Sequence, residues 1–279
     1  HRSTRGWSYG ASVTDPRTGE IIKGHVTLGS LRVRQDFLIA EAFRAPYADG
    51  AAQDPTVMKM ALDRLRQLSA HEVGHTLGLS HNYVASATGN TSVMDYPHPL
   101  IQAGPDGVPD VSRAYDQKIG EWDKVSIAWG YSQFASGADE RRELNAILDR
   151  AHQRGLVFLS DQDARPAGSA HPATHLWDNG ANAVDELRRV LQVRQAALRR
   201  FGANNVPAGR ALAELEDVLA PLYFSHRYQV EAAAKVLGGL DYRYALRGDG
   251  QTPTALVPPA RQLQALDALI ETLSPETLA

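Results

Sequence analysis

Between residues 54 and 77, apolar side chains recur at steps of four and three: Val57, Ala61, Leu65 and Leu68 fall on one stripe. That period predicts an amphipathic helix with one buried face. Asp54-Pro55 stands at its start as an N-cap followed by proline in the first turn, and Gly78 is placed to end it near Leu77. Upstream, residues 7–13 and 20–28 predict two strands around the turn Asp15-Pro16-Arg17-Thr18-Gly19. The second strand alternates only loosely, as an edge strand does, and an edge beside a cleft can pair with an extended peptide. Residues 30–45 predict a helix with Leu31, Phe37, Leu38 and Ala42 toward the core. The stretch 82–91 reads as a polar loop. Residues 119–129 read as a helix closed by Gly130-Tyr131, with Trp122, Val125, Ile127 and Trp129 available for packing. Beyond residue 135 the pattern becomes mainly helical, over 138–154, 183–201, 208–238 with a break at Pro221, and 259–273. The expectation is an α+β fold in two parts: a core over 1–135 with a twisted sheet on the long helix, and a mainly helical part over 136–279 packed against it.

The long helix carries the chemistry. Its C-terminal end reads His71-Glu72-Val73-Gly74-His75-Thr76-Leu77-Gly78-Leu79-Ser80-His81. Histidines four residues apart on a helix present their rings on one face, so His71 and His75 can reach one metal ion at about 2.0–2.1 Å. Gly78 permits a turn that returns the chain, and His81 becomes a third nitrogen ligand. Three histidines with an open fourth position are the donor set of a catalytic zinc, because a structural zinc closes its shell with four protein ligands. Glu72 flanks the same face and is placed to act as general base on water.

Other histidines read differently. His25, alone on a strand, reads as polar surface, and His98, between Pro97 and Pro99, as a rim or structural group. The 104–110 loop is rich in carboxylates but lacks EF-hand spacing, which favours solvated turns over a calcium site. His171 and His175, with Asp161, Asp163 and Asp178 nearby, leave two readings open: a second metal site, or a loop that packs on or lines the cleft. Pro172 between the histidines speaks against a helix presenting both.

Composition narrows the classes. A net charge of −3 over 279 residues gives no basic surface for nucleic acid or anionic membrane. The 43% hydrophobic and 22% charged content is that of a soluble globular protein. No apolar run reaches the ~18 residues of a membrane-spanning segment. With no cysteine, a disulfide framework and a thiolate-bound zinc are both excluded. The chain opens at His1-Arg2-Ser3 without an initiator methionine or signal peptide, and Ser274-Pro275 opens a helix at its end. Both features predict a piece of a longer polypeptide.

The full pattern H-E-x-x-H-x-x-G-x-x-H, followed by Ser92-Val93-Met94-Asp95-Tyr96, resembles the metzincin zinc peptidases, whose motif is followed by a Met-turn. More narrowly, the chain looks like the large bacterial zinc-dependent metalloproteases with a Met-zincin catalytic domain. Trp7-Ser8-Tyr9-Gly10, Asp15 to Glu20, Glu121-Trp122-Asp123-Lys124 and the 171–180 loop share in that likeness. The resemblance implies one catalytic Zn2+ held by His71, His75 and His81, and a metallo-endopeptidase acting on peptide or protein substrates. It implies export to the bacterial periplasm or secretion, and Met94 as an apolar floor under the imidazoles. In astacin-like and serralysin-like members a tyrosine two residues after the methionine reaches the zinc. Tyr96 holds that place, either as a donor to the oxyanion or merely packed beside Pro97. Asn82, after the third histidine, departs from the Glu, Ser or Asp of several subfamilies, so their substrate preferences do not transfer. The competing class is a catalytically weak zinc-containing binding or scaffold module of a larger envelope protein. Glu72 weighs against it, since a pure binder has no use for a base there.

Overall fold

A computed structural model describes residues 7–48, 54–104 and 106–278. His1-Arg2-Ser3 and Pro105 lie outside that range. Strand β1 (Tyr9–Thr14) pairs antiparallel with β2 (Ile21–Thr27), Tyr9 opposite Thr27, with a register shift between Val13 and Thr14. The turn between them is closed by Asp15, whose carboxylate accepts the Arg17 N–H at 2.9 Å. The hairpin lies across the end of the long helix because two glycines let its backbone approach. A β-carbon on Gly10 would stand 2.0 Å from the Glu72 carbonyl oxygen, and one on Gly24 would stand 2.7 Å from Thr76 Cβ.

Helix α1 (Leu31–Arg44) packs beside α2 (Pro55–Thr76). Asp54 caps α2 by accepting the Thr56 N–H at 2.9 Å, and its carboxylate pairs with Arg44 at 2.7 Å, tying the two helices together. Val57, Ala61 and Leu68 of the expected stripe are buried and Leu65 is half-buried, but Asp63, Arg64 and Gln67 are buried with them. In α1, Ala42 is buried, whereas Leu31, Phe37 and Leu38 are half-buried.

The 82–91 segment is not a simple polar loop. Tyr83, Val84 and Ala85 are buried, and a 3-10 turn runs over Ala85–Thr88. Helix α3 (Glu121–Tyr131) buries Trp122 and Val125 against α4 (Glu140–Gln153) and Leu156. Trp129, expected in that packing, shares the stripe of Trp122 and Val125 but stands in the last turn of the helix and is 47% exposed.

A one-turn helix α5 (Asp161–Ala164) precedes α6 (Ala183–Leu198), α7 (Leu215–Tyr223) and α8 (Arg227–Ala234). The expected break at Pro221 falls instead after Tyr223. Pro221 removes only the bond to residue 217, in the first turn, and α7 runs two residues past it. A short antiparallel pair, β3 (Leu240–Tyr242) with β4 (Thr254–Leu256), was not foreseen; three-residue strands carry too little alternation to read. Helices α9 (Pro259–Glu271) and α10 (Pro275–Leu278) end the described chain.

The result is a mixed fold of helices with two small sheets. Its main core joins Ala40, Phe43, Val57 and Met60 to Val193, Ala197, Val218 and Leu222, so residues from both sides of position 135 share one interior. Among the described residues no helix is long and apolar enough to cross a membrane.

Candidate metal centre

His71 and His75 stand one turn apart on α2. Gly78, in the left-handed region at φ +83°, turns the chain so that His81 comes back to them. The Nε2 of His75 lies 3.1 Å from that of His71 and 3.2 Å from that of His81. On each ring the other nitrogen is taken by an acceptor that cannot donate. His71 Nδ1 donates to the Val93 carbonyl at 2.6 Å, His75 Nδ1 to the Leu79 carbonyl at 2.9 Å, and His81 Nδ1 to Asp161 at 2.9 Å. Each proton therefore sits on Nδ1, and three Nε2 lone pairs face a common point. Donors around a tetrahedral zinc at about 2.05 Å are separated by ~3.3 Å, close to the spacings found. Burial lowers His71 to about 3 and also lowers His81, against the opposing pull of Asp161, so both rings are neutral as ligands must be. The residues fit a zinc ion. Among the described residues no other cluster of His, Cys, Asp or Glu does.

Glu72 is buried, with one carboxylate oxygen lacking any hydrogen-bond partner. Burial pushes its carboxyl upward, offset in part by the Gly10 N–H and the charge of Arg64. Gly10 is thus a member of the site: its missing side chain lets β1 lie on the helix, and its N–H steadies the carboxylate. Gly74 is another. A β-carbon there would stand 2.3 Å from Met94 Sδ, so the fully buried Met94 rises against the helix between the two histidines.

Asp123 holds the Met94 turn in place. It accepts Ser92 Oγ–H at 2.5 Å, the Val93 N–H at 2.9 Å and the Gly120 N–H at 2.6 Å, while the Trp122 N–H donates to the Thr91 carbonyl at 2.8 Å. Since Val93 orients His71, the start of α3 reaches the metal cluster through one residue.

Two segments from the second half close around this frame. Asn82 uses its side-chain amide as a strand would use its backbone, donating to the Val157 carbonyl at 2.9 Å and accepting the Leu159 N–H at 3.1 Å. That docking delivers Asp161 to His81. Arg165, four residues on, donates from Nη2 to the phenol oxygens of Tyr83 at 2.6 Å and Tyr96 at 3.2 Å. On the other side Trp177 donates its N–H to the Tyr96 carbonyl at 2.8 Å, with its ring centroid 5.0 Å from that of Tyr96. Trp177 sits at φ +62°, where a bulky residue is strained, and the Gln229 side chain helps hold it by donating to its carbonyl. Ser86 ties the loop down, donating its N–H to Asp95 at 2.8 Å and its Oγ–H to Asp178 at 3.1 Å.

The Tyr96 ring lies 4.9 Å from His81 and 5.3 Å from His71, centroid to centroid. His25 is exposed, and its ring bonds to Thr27 at 3.2 Å. His98 is lowered to about 3 by burial, its Nδ1 without a partner. His171 and His175 do not converge. The Nε2 of His171 faces Arg243 at 3.2 Å, a place a metal cation would not share, and that of His175 lies 3.4 Å from Glu231. Asp161 entered the sequence reading only as a neighbour of the His171 and His175 pair, and Arg165, Tyr83, Gly10 and Gly74 carried no assigned catalytic or ligand role there. Only Gly74 left a signal there, a costly glycine inside a helix between two functional residues.

No curated protein and no solved structure matches the chain. Residues 53–279 match the family model described as Met-zincin, a span that holds all three histidines, Met94 and both segments from the second half. With most of its length inside that match, the chain belongs to the Met-zincin family.

Proposed function

We propose that the chain is a zinc-dependent metallo-endopeptidase, with His71, His75 and His81 as the zinc ligands. The observation that carries this reading is the convergence of three imidazoles, each with its Nδ1 anchored by an acceptor, beside a buried carboxylate that keeps one oxygen free. Zinc bound there supplies Lewis acidity, polarising a carbonyl and bringing a water's pKa down toward ~7. Glu72 takes the proton released on attack at its free oxygen and returns it to the leaving amine, so it acts first as base and then as acid. The Gly10 N–H keeps the carboxylate aimed while the proton is carried. Met94 gives the ligands an apolar floor without binding the ion, and Tyr96 is placed to donate its O–H to the oxyanion.

The test is Glu72→Gln, which is nearly isosteric and touches no ligand ring directly. Zinc content and melting temperature should hold, while cleavage of a protein such as casein falls by at least ~10²-fold. A fully active variant would remove Glu72 from the reaction. If zinc binds but neither form cuts any protein, the peptidase reading fails.

A further inference from the structure

We propose that Asp161 and Arg165 form a positioning bridge that ties the metal ligand His81 to the oxyanion-facing phenol of Tyr96. The His81 end stands on the metal cluster alone; the Tyr96 end rests on the peptidase reading above.

Apart from the Ser160 Oγ–H that donates to Asp161 at 3.3 Å, the side-chain hydrogen bonds of the pair run to each other and to His81, Tyr83 and Tyr96. Asp161 accepts His81 Nδ1–H on both oxygens, at 2.9 and 3.1 Å, and Arg165 Nε–H on Oδ1. Arg165 then spends Nη2 on the two phenol oxygens and places its guanidinium 5.5 Å over the Tyr83 ring and 5.4 Å over that of Tyr96. The two residues are held one above the other across a single turn, closed by the Arg165 N–H to the Asp161 carbonyl at 2.9 Å. Asn82, the residue directly after His81, fixes the register that puts this turn there.

The chemistry of each bond follows. A carboxylate on Nδ1–H fixes the tautomer of His81 and raises the basicity of the Nε2 that meets the metal. A phenol oxygen that accepts from a guanidinium keeps its own proton for another partner, and the fork geometry of arginine fixes where that oxygen lies. The bridge thus holds the position of a metal ligand and of an oxyanion donor with one ion pair. As mere surface electrostatics, a half-exposed i,i+4 pair adds little to stability, so its removal should leave the melting temperature nearly unchanged while function changes.

The experiment uses the 279-residue chain, with zinc affinity read by competition with a chelator and kinetics on one peptide cut from casein. Asp161→Ala should weaken zinc by ~10–100-fold, and Asp161→Asn by less, since the amide oxygen still accepts the Nδ1–H. Arg165→Met should leave zinc affinity within ~2-fold and lower kcat about 10-fold at unchanged KM, with Arg165→Lys intermediate. In a Tyr96→Phe background, Arg165→Met should cost nothing further, since both act through one hydroxyl. Wild-type zinc affinity in Asp161→Ala would overturn the proposal, as would an unchanged kcat in Arg165→Met or penalties that multiply with Tyr96→Phe. If the chain cuts no peptide, the peptidase reading fails by itself. The bridge is then judged on the Asp161→Ala zinc affinity and a crystal structure of Arg165→Met, where an undisplaced Tyr96 phenol would overturn it.

Discussion

His71 and His75 stand four residues apart, and so do His171 and His175. In the first pair the backbone between them is helical, both Nδ1 atoms donate to carbonyls, and the two Nε2 atoms cluster with a nitrogen of a third histidine. In the second, Pro172 breaks the helix, one ring turns to Arg243 and the other to Glu231. Spacing alone therefore does not make a metal site. What makes one is a rigid backbone between the ligands and an acceptor behind every ring, which leaves the facing nitrogens no choice of direction. The loop of the second pair serves the first instead, by laying Trp177 against Tyr96 and anchoring Asp178 through Ser86 to Asp95.

The comparison can be sharpened from the first site outward. The largest effect is expected at Tyr96. Tyr96→Phe keeps the ring against Trp177 and His81, so zinc and fold should persist while kcat drops by roughly 10–10³-fold with KM little changed. Unaltered kcat would mean that the ring matters only for packing.

A smaller effect is expected where the helix meets its floor. Gly74→Ala places a methyl where Met94 Sδ now lies, and overpacking of this kind typically costs about 1–3 kcal/mol. Thermal unfolding should show the loss, and zinc should bind more weakly as the floor is pushed away. An unchanged melting temperature would show that Met94 shifts freely and does not define the cluster.

The smallest effect probes the anchor of the second loop. Burial raises Asp95 to about 7 and raises Asp178 as well, each carboxylate disfavouring the other's charge, so the pair holds a proton in the folded state that the unfolded chain has released above pH ~4. The folded state binds more protons, and stability from this pair should fall as pH rises from 6 to 8. Asp178→Asn should flatten that slope in chemical denaturation. A slope that persists in the variant would place the proton elsewhere.

How far the residues disclose all this depends on the range of the interaction. The cap at Asp54, the helix to Thr76, the turn at Gly78 and the hairpin follow from neighbours a few residues away, and they read directly. The three histidines and Glu72 read because a helix converts spacing into direction. Asp161 lies 80 residues from His81 and Arg165 lies 69 from Tyr96, and the docking of Asn82 on 157–159 brings them there. Gly10 is silent for the same reason: its role appears once β1 lies on Glu72. Burial misleads as well, since Trp129 looks like core and is half-exposed, whereas the outwardly polar 82–91 stretch hides Tyr83.

The central claim, that His71, His75 and His81 and not the loop-borne pair hold the metal, is tested most directly by elemental analysis of three proteins purified alike: wild type, His75→Ala and His175→Ala. Wild type and His175→Ala should each carry close to one zinc per chain, and His75→Ala should lose most of it, because two nitrogens do not replace three. A wild-type protein without transition metal, whose melting temperature added zinc does not raise, would contradict the claim, and so would a His175→Ala protein that loses its zinc while His75→Ala keeps it.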